Sequence, residues 1–396
     1  MQSPGSPWGV GTTRLPRQVR KILPACVVFF MLTLYLSITG LFGEFGGAGS
    51  GFPSRPSSGT GHLFPRKIWQ TWKVDPLEFD ERDLATARSW TAKNPGHRYE
   101  VLTDQNDLYY VETYFGPDGF NRPDIVAMYR ALTAKIIKAD LLRYLVMYVE
   151  GGVYTDIDVE ALKPIQRFIP ERFDERDINM IIGVEIDEPA LKDHAILGPK
   201  SQSFCQWTFV CKPGLPVMMT LVDHILLWLN EVSRRQGKPV AEIELDFDEV
   251  ISGTGPSAFT NAVLEYMSQR EGRSITWDTF HNMAESKLVG GVLVLTVEAF
   301  AAGQGHSDSG NHNARTALVK HHYHASGWPT NHPRYSHPLY GEVEQCNWNK
   351  ECVAEWDANI AAFDALPLEE QAKQLAIKQA MDVPEMDDTI PIPIDF

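Results

Sequence analysis

One stretch, residues 138–164, constrains the fold of this chain more than any other. It reads KADLLRYLVMYVEGGVYTDIDVEALKP. An amphipathic helix breaks at Gly151-Gly152, which fits a helix C-cap followed by a tight turn. The chain then continues as a short apolar strand that ends in Asp156-Ile157-Asp158. The stretch therefore predicts a buried helix that leads into a strand with two carboxylates at its end.

The elements before this stretch indicate the fold class. Residues 65–72 (PRKIWQTW) predict a buried first strand, residues 80–93 a helix and residues 99–103 a second strand. A strand, a helix and a strand in this order favour an α/β domain with a partly parallel sheet. Further predicted elements are one long helix over 125–148, strands over 178–184, 206–211 and 291–295, and helices over 216–230, 257–267 and 357–380.

Length and charge exclude some classes of protein. At 396 residues the chain can hold one large catalytic domain or two small ones. The formal net charge of −15 argues against nucleic-acid binding, which normally needs a basic patch. We therefore predict no nucleic-acid partner.

The N-terminal residues predict a membrane anchor. Residues 1–21 contain four basic residues and no acidic one, and residues 22–43 are uncharged and mostly apolar, long enough for a transmembrane helix. The positive-inside rule then makes residues 1–21 a cytosolic tail. Residues 44–62, rich in Gly, Ser and Pro, predict a flexible stem. A cleaved signal peptide is the alternative to an uncleaved signal anchor.

The remaining boundaries follow from this topology. Residues 63–380 form the predicted lumenal catalytic domain, and residues 381–396 an acidic, proline-rich tail. A lumenal location permits disulfides. Four cysteines outside the anchor allow three pairings, of which we favour Cys346–Cys352 as a local loop. A zinc site is disfavoured because the spacing is not CxxC.

Asp156 and Asp158 are the first candidate site. Residues i and i+2 of a strand share a face, so both carboxylates can point at one place. Mg²⁺ and Mn²⁺ prefer oxygen ligands and readily take the others from phosphate and water. A nucleotide diphosphate leaving group needs such a cation, because negative charge builds on its oxygens. The alternative is an ordinary Asp-x-Asp loop.

Asp140 and Arg143 form the second candidate pair. They are three residues apart, so they share one face of the helix just before the aspartates. They are either a surface ion pair or they point into the pocket. In the pocket, Asp140 would accept hydrogen bonds from sugar hydroxyls and Arg143 would donate to phosphate or sugar.

Histidine and tryptophan residues complete the candidate set. One of His321, His322 and His324 is a predicted further metal ligand, with His322 as first choice and the other two as alternatives. Packing at the mouth of the cleft is the competing interpretation. Trp69 and Trp72 lie on opposite sides of the first strand, so at most one stacks on a nucleobase.

Several motifs together resemble glycosyltransferase family 32. They are KIWQTWK, SWTAKNPGHRYEVLTD, KADLLRYLVMYVEGGVYTDIDVEALKPI, IIGVE, FCQWTFVCKPG, TGPSAFT and HHYHASGW. The likeness runs over residues 65–328 and is strongest to the fungal α-1,6-mannosyltransferases that begin outer-chain elongation of N-glycans in the Golgi. It implies a GT-A, Rossmann-like fold, a GDP-mannose donor, Mn²⁺ (or Mg²⁺) and retention of anomeric configuration.

The resemblance also implies roles for individual residues. Asp140 and Arg143 would hold the donor sugar, and Asp156 and Asp158 would serve the metal and the diphosphate. The implied catalytic set is Asp156, Asp158 and Arg143, and the implied donor-binding set is Asp140, Arg143, Trp72 and Tyr154. The chain departs from the family in having Trp69 where a histidine is usual, and one extra residue within 321–328.

We therefore predict a single-pass type II Golgi membrane protein that transfers mannose from GDP-mannose to a mannose of protein-linked N-glycans. Alternatives are an inositol-phosphoceramide mannosyltransferase of the same fold and a lumenal metal-dependent lectin. Membership of a mannosyltransferase complex stays open. The sequence offers no clear nucleophile or base, which favours a front-face mechanism over a covalent route through a carboxylate such as Asp187.

Overall fold

The structure is a computed structural model that describes residues 63–325 and 332–381. The predicted cytosolic tail, membrane span and stem lie outside these residues, as does the predicted C-terminal tail except for Met381. Among the helices of the described residues, none combines the length and the apolar character needed to cross a membrane.

The described residues form strands and α-helices in a mixed order. The strands are β1 (Lys67–Trp72), β2 (Arg98–Thr103), β3 (Gly152–Thr155), β4 (Val159–Ala161), β5 (Met180–Asp187), β6 (Gln202–Phe204), β7 (Thr208–Cys211), β8 (Lys287–Val289), β9 (Val292–Leu295) and β10 (Val319–His321). The α-helices are α1 (Glu81–Lys93), α2 (Asp107–Phe115), α3 (Pro123–Ala131), α4 (Lys135–Val149), α5 (Pro216–Gln236), α6 (Phe247–Gly253), α7 (Pro256–Glu271), α8 (Val297–Ala301), α9 (Lys350–Asp364) and α10 (Leu368–Met381).

The main sheet has the strand order β2-β1-β3-β7-β5-β9-β8, and β6 pairs with β5. β1 is parallel to β2 and to β3, whereas β7 is antiparallel to both β3 and β5. β5 therefore runs in the same direction as β3, and it is parallel to β9. A separate antiparallel pair joins β4 and β10. The predicted α/β class with a partly parallel sheet is confirmed.

Helices cover both faces of this sheet. The larger apolar cluster contains α4, α5 and α7 with strand residues such as Tyr154, and the second contains Trp90 of α1 and Phe300 of α8 with strand residues such as Val153. Tyr154 and Val153 are adjacent on β3 but belong to different clusters, because successive side chains of a strand point to opposite faces. β3 is thus buried on both sides, which fixes the position of the residues that follow it.

Each of two helices predicted from the sequence is divided into two helices in the structure. The helix predicted over 125–148 is broken after α3, where Leu132 adopts an extended conformation (φ −66°, ψ 130°). The apolar stripe keeps its period across this break, so the sequence pattern does not reveal it. The helix predicted over 357–380 starts earlier and is divided between α9 and α10 at Pro367, because proline has no N–H to continue a helix. The short helix α6 was not predicted.

One of the cysteine pairings that the sequence allows is present in the structure. Cys346 and Cys352 form the disulfide that we favoured. Cys205 and Cys211 are free and buried.

The Gly151-Gly152 turn between α4 and β3 gives a stability prediction. Gly152 has φ +95°, and a Cβ there would lie 2.6 Å from the Lys67 carbonyl oxygen. We expect Gly152→Ala to lower the free energy of unfolding by about 2–4 kcal/mol, from the left-handed backbone and from the forced separation of β1 and β3. Denaturation in urea would measure it.

Gly237→Ala is the matched control for this variant. Gly237 also has positive φ (+63°), but a Cβ there would meet nothing within 4 Å. Its cost should be the backbone cost of about 1–2 kcal/mol. Equal losses in the two variants would show that the close approach of Gly152 to β1 does not matter.

Candidate functional site

A cleft of about 1490 Å³ opens where the parallel strands end. Its lining includes Thr71 of β1, Thr103 of β2, Asp156 after β3 and Glu185 of β5. Ligands of α/β proteins bind outside the carboxyl ends of the strands. The cleft thus lies at the edge of the sheet where the sequence predicts a site.

Arg143 joins the two predicted carboxylates. Its Nη1 donates to Asp140 Oδ1 and its Nη2 to Asp156 Oδ1, each at 2.8 Å. The Arg143 side chain is only 3% exposed, and its guanidinium carbon lies 4.8 Å from the centre of the Tyr154 ring. Asp140 and Arg143 therefore point into the cleft, and the alternative of a surface ion pair is wrong.

Asp140 is held from two further directions. Thr254 Oγ1 donates to Asp140 Oδ2 at 2.7 Å, and Gln206 Nε2 lies 3.4 Å from Asp140 Oδ1. Burial raises the pKa of Asp140, and the charge of Arg143 opposes that rise. The pKa of Asp156 is likewise raised by burial and lowered by Arg143. One buried guanidinium thus compensates the buried Asp140 and the partly exposed Asp156, whose side chains are 2% and 26% exposed.

Tyr154 lies beneath the site and not in it. Its hydroxyl donates to Asp156 Oδ1 at 2.8 Å and contacts Thr71 Oγ1 at 2.9 Å. The side chain is fully buried and does not line the cleft. The predicted direct contact of Tyr154 with a donor is therefore corrected: Tyr154 positions Asp156.

Asp158 is held by a histidine and by a backbone amide. His321 Nε2 lies 3.3 Å from Asp158 Oδ1, and the Ala325 amide donates to Asp158 Oδ2 at 3.0 Å. Burial alone would raise the pKa of Asp158, but the hydrogen bond and the charge of His321 outweigh it and lower the pKa to about 2. Asp158 is therefore an ionised carboxylate at neutral pH.

The structure brings His321, and not His322, to the aspartates. His322 Nε2 is 3.1 Å from Glu160 Oε2, and His324 Nε2 is 2.9 Å from Asp83 Oδ1. β10 ends at His321, so the strand alternation used to place the residues after it does not apply. The structure thus places His321, one of the two alternatives, closer to the aspartates than the first choice, His322. Which histidine binds a metal stays a prediction.

The fit of a divalent cation can be judged from these contacts. Within the described ranges, no group of three or more His, Cys, Asp or Glu side chains is close enough to hold a metal ion without other ligands. Asp158 Oδ1 and His321 Nε2, 3.3 Å apart, nevertheless have about the spacing of two neighbouring ligands at ~2.1 Å in an octahedral shell. The residues fit a cation that takes further ligands from a bound phosphate.

Trp72 and Trp69 separate as predicted. Trp72 lines the cleft at the end of β1, with Lys73 Nζ 4.8 Å from the centre of its ring. Trp69 is buried in the larger cluster, where its ring packs edge-on against Tyr110. One indole is thus available for stacking and the other belongs to the core.

Glu185 is a cleft residue that sequence reasoning did not single out. Trp207 Nε1 donates to Glu185 Oε1 at 2.8 Å, and both residues line the cleft. Asp187, the carboxylate considered for a covalent route, does not line it. The Asp187 side chain instead accepts hydrogen bonds from Trp277 and from the Asn282 amide. The strand IIGVE was recognised, but its pattern does not show which carboxylate faces the cleft.

These elements define a class of protein. A mixed α/β domain with an Asp-x-Asp motif at the end of a buried strand, beside a buried Asp–Arg pair, is a glycosyltransferase architecture. The family described as "Glycosyltransferase sugar-binding region containing DXD motif" matches residues 80–174, which include the strand β3 and both aspartates.

Curated relatives agree with this class. The chain is 34% identical over 266 residues to the initiation-specific alpha-1,6-mannosyltransferase of Schizosaccharomyces pombe, covering 67% of this chain and 63% of the relative. It is 31% identical over 277 residues to the Candida albicans protein of that name, covering 65% of this chain and 70% of the relative. The chain belongs to this family of DXD-containing glycosyltransferases, as its motifs predicted.

Among solved structures, the "PaToxG Glycosyltransferase" is similar at a TM-score of 0.36 and 16% identity, over 66% of this chain and 85% of that one. In the sequence comparison, the alignment with the S. pombe mannosyltransferase covers 63% of the length of that relative.

Proposed function

We propose that the chain is a metal-dependent mannosyltransferase of the GT-A type. It transfers mannose from GDP-mannose to a mannose hydroxyl of a protein-linked N-glycan, with retention of configuration. The names of the family relatives support mannosyl transfer. The arrangement of Arg143 between Asp140 and Asp156 at the floor of the cleft is the observation that carries the proposal.

The charges at the site support the following roles for the donor-site residues. Asp156 and Asp158, with His321, would hold Mn²⁺ or Mg²⁺ together with the donor diphosphate. When bound, that cation neutralises charge on the leaving oxygens. Arg143 keeps Asp156 oriented and adds a positive charge beside the diphosphate. Asp140, the other carboxylate on Arg143, would accept hydrogen bonds from donor sugar hydroxyls.

The contacts at the cleft also bear on the mechanism. In a front-face transfer, the acceptor oxygen attacks the anomeric carbon from the side on which the diphosphate leaves, and a diphosphate oxygen takes the acceptor proton. Asp187 has its carboxylate engaged by Trp277 and by the Asn282 amide outside the cleft. This favours the front-face route over a covalent one through Asp187. Trp72 would stack on the nucleobase at the β1 side of the cleft.

The topology of the whole protein is part of the proposal. Residues 22–43 would anchor it in the Golgi membrane as a single-pass type II protein, with the catalytic domain in the lumen. The Cys346–Cys352 disulfide suits an oxidising compartment. Co-purification with other mannosyltransferases would detect assembly into a mannosyltransferase complex.

The purified full-length chain tests the activity against a panel of GDP- and UDP-sugars with Mn²⁺. We expect turnover of GDP-mannose with a mannooligosaccharide acceptor and loss of turnover in EDTA, restored by Mn²⁺. Preference for a UDP-sugar, or turnover unchanged by EDTA, would contradict the proposal.

Two further outcomes separate the alternatives. Transfer to inositol-phosphoceramide but not to the oligosaccharide would identify a glycolipid enzyme. Sugar binding that is independent of nucleotide, without turnover, would identify a lectin.

A further inference from the structure

Glu185 is a carboxylate in the cleft to which the donor-site roles above give no task. One of its oxygens, Oε1, is fixed by the indole N–H of Trp207 at 2.8 Å. The other, Oε2, lies 3.5 Å from Ser203 Oγ, at the outer limit of a hydrogen bond. Glu185 is therefore anchored on one side and has acceptor capacity left on an oxygen of a cleft-lining group.

The strand order locates Glu185 relative to the donor site. Trp72 ends β1, Asp156 follows β3, and Glu185 is on β5, which is separated from β3 by β7. Neighbouring strands lie about 4.8 Å apart, so β3 and β5 are about 10 Å apart. Along the edge of the sheet, Trp72 and Glu185 thus lie on opposite sides of Asp156.

This order places the parts of the proposed reaction. If the base stacks on Trp72 and the diphosphate lies at Asp156, the transferred sugar extends towards β7 and β5. The acceptor must approach that sugar from beyond the diphosphate. Glu185 lies on that side, in the same cleft.

The chemistry of Glu185 limits what it can bind. An ionised carboxylate accepts hydrogen bonds and donates none, and it repels a diphosphate. Sugar hydroxyls are neutral donors, so an uncharged sugar suits this position. Burial raises the pKa of Glu185, and the hydrogen bond from the Trp207 indole opposes that rise.

We propose that Glu185 accepts a hydrogen bond from a hydroxyl of the acceptor sugar and fixes that sugar beside the transferred mannose. The inference rests on the proposed function for the identity of the donor. Trp207 is the positioning residue: its indole N–H holds Glu185, and its ring packs against His321 at 4.5 Å between centroids. Trp207 thus links Glu185 to His321 and so to the side of the cleft that holds Asp158.

Glu185→Gln in the full-length chain tests this role. In hydrolysis, water replaces the acceptor sugar and needs no contact with Glu185, so the variant should affect transfer only. Two reactions are compared: hydrolysis of GDP-mannose without acceptor, and transfer to methyl α-mannopyranoside. We expect kcat/KM for the acceptor to fall about ten- to a hundredfold, the effect of losing a hydrogen bond to a charged group. Hydrolysis and the KM for GDP-mannose should stay within about twofold of wild type.

Glu188→Gln is the matched control. Glu188 is three residues further along and accepts hydrogen bonds from Ser307, outside the cleft. Its amide can still accept these bonds, so both reactions should be unchanged. If Glu185→Gln does not fold, which its thermal unfolding would show, Glu185→Asp replaces it: a shortened carboxylate should weaken the acceptor and spare hydrolysis.

Two results would overturn the proposal. Equal losses of hydrolysis and transfer would place Glu185 on the donor, and unchanged acceptor kinetics would make it a structural group for Trp207. Saturation-transfer NMR of methyl α-mannopyranoside with GDP and Mn²⁺ gives an answer even if the donor panel fails. Binding to wild type that is lost in Glu185→Gln supports the proposal, whereas equal binding, or none to wild type, refutes it.

Discussion

Asp158→Asn should reduce kcat for the proposed transfer by about 10²–10³-fold or more, the loss seen when one group that stabilises developing charge is removed. Asp158 is an ionised carboxylate held by His321 and by the Ala325 amide. Asparagine has nearly the same shape and can still accept from the amide, so the fold should persist. The negative ligand for the cation is lost, however.

Steady-state kinetics over a range of Mn²⁺ concentrations would measure this effect. We expect the Mn²⁺ concentration for half-maximal activity to rise together with the fall in kcat. Asp174→Asn is a suitable control, because Asp174 caps a short helical turn through the Arg176 amide and is not in the cleft. If the Asp156→Ala Asp158→Ala double variant retains near wild-type transfer, the proposed role of the two aspartates in holding the cation and the diphosphate is wrong.

Arg143→Ala should lower the free energy of unfolding by about 3–5 kcal/mol, since it leaves the buried Asp140 carboxylate without its counter-charge. Asp140 and Asp156 both accept from this guanidinium, and Arg143 and Asp140 are almost fully buried. Arg143→Lys should cost less, because it keeps the positive charge. A single ammonium cannot reproduce the geometry of the two guanidinium nitrogens, so its transfer activity should still fall strongly.

Urea denaturation of both variants, with kinetics of the lysine variant, separates the two effects. Arg172→Ala is the control: Arg172 pairs with Glu285 on the surface, with side chains 46% and 73% exposed. Such a pair contributes about 0–1 kcal/mol. A loss in Arg143→Ala no larger than in this control would mean that the buried charges are compensated in another way.

Local patterns in the sequence were enough for the half of the site that is contiguous in the chain. The helix, the glycine turn and the strand before Asp156 each have a short-range signal, and β3 follows α4 directly. The i, i+3 spacing of Asp140 and Arg143 put both on one face of α4. Strand alternation also separated Trp72 from Trp69.

Contacts between distant residues could not be predicted in this way. The choice of histidine depends on how β10 pairs with β4, in which His321 lies opposite Val159. Thr254 reaches Asp140 across a separation of 114 residues. Glu185 and Asp187 would share a face of β5 by periodicity, but the pairing of β5 with β6 shifts register between Val184 and Ile186. The two carboxylates also meet different indoles, those of Trp207 and Trp277.

The antiparallel strand β7 lies between two walls of the cleft that come from different parts of the chain. The wall on the β1–β3 side is built largely from residues before 160, with His321 and Ala325 beside Asp158. The family match at residues 80–174 covers much of this wall. The opposite wall draws on β5, the start of α7 and the segment after residue 332. Under the proposed function, substitutions in that second wall would alter recognition of the acceptor and leave recognition of the nucleotide unchanged. Two enzymes with the same motif would then share a donor and differ in their acceptors.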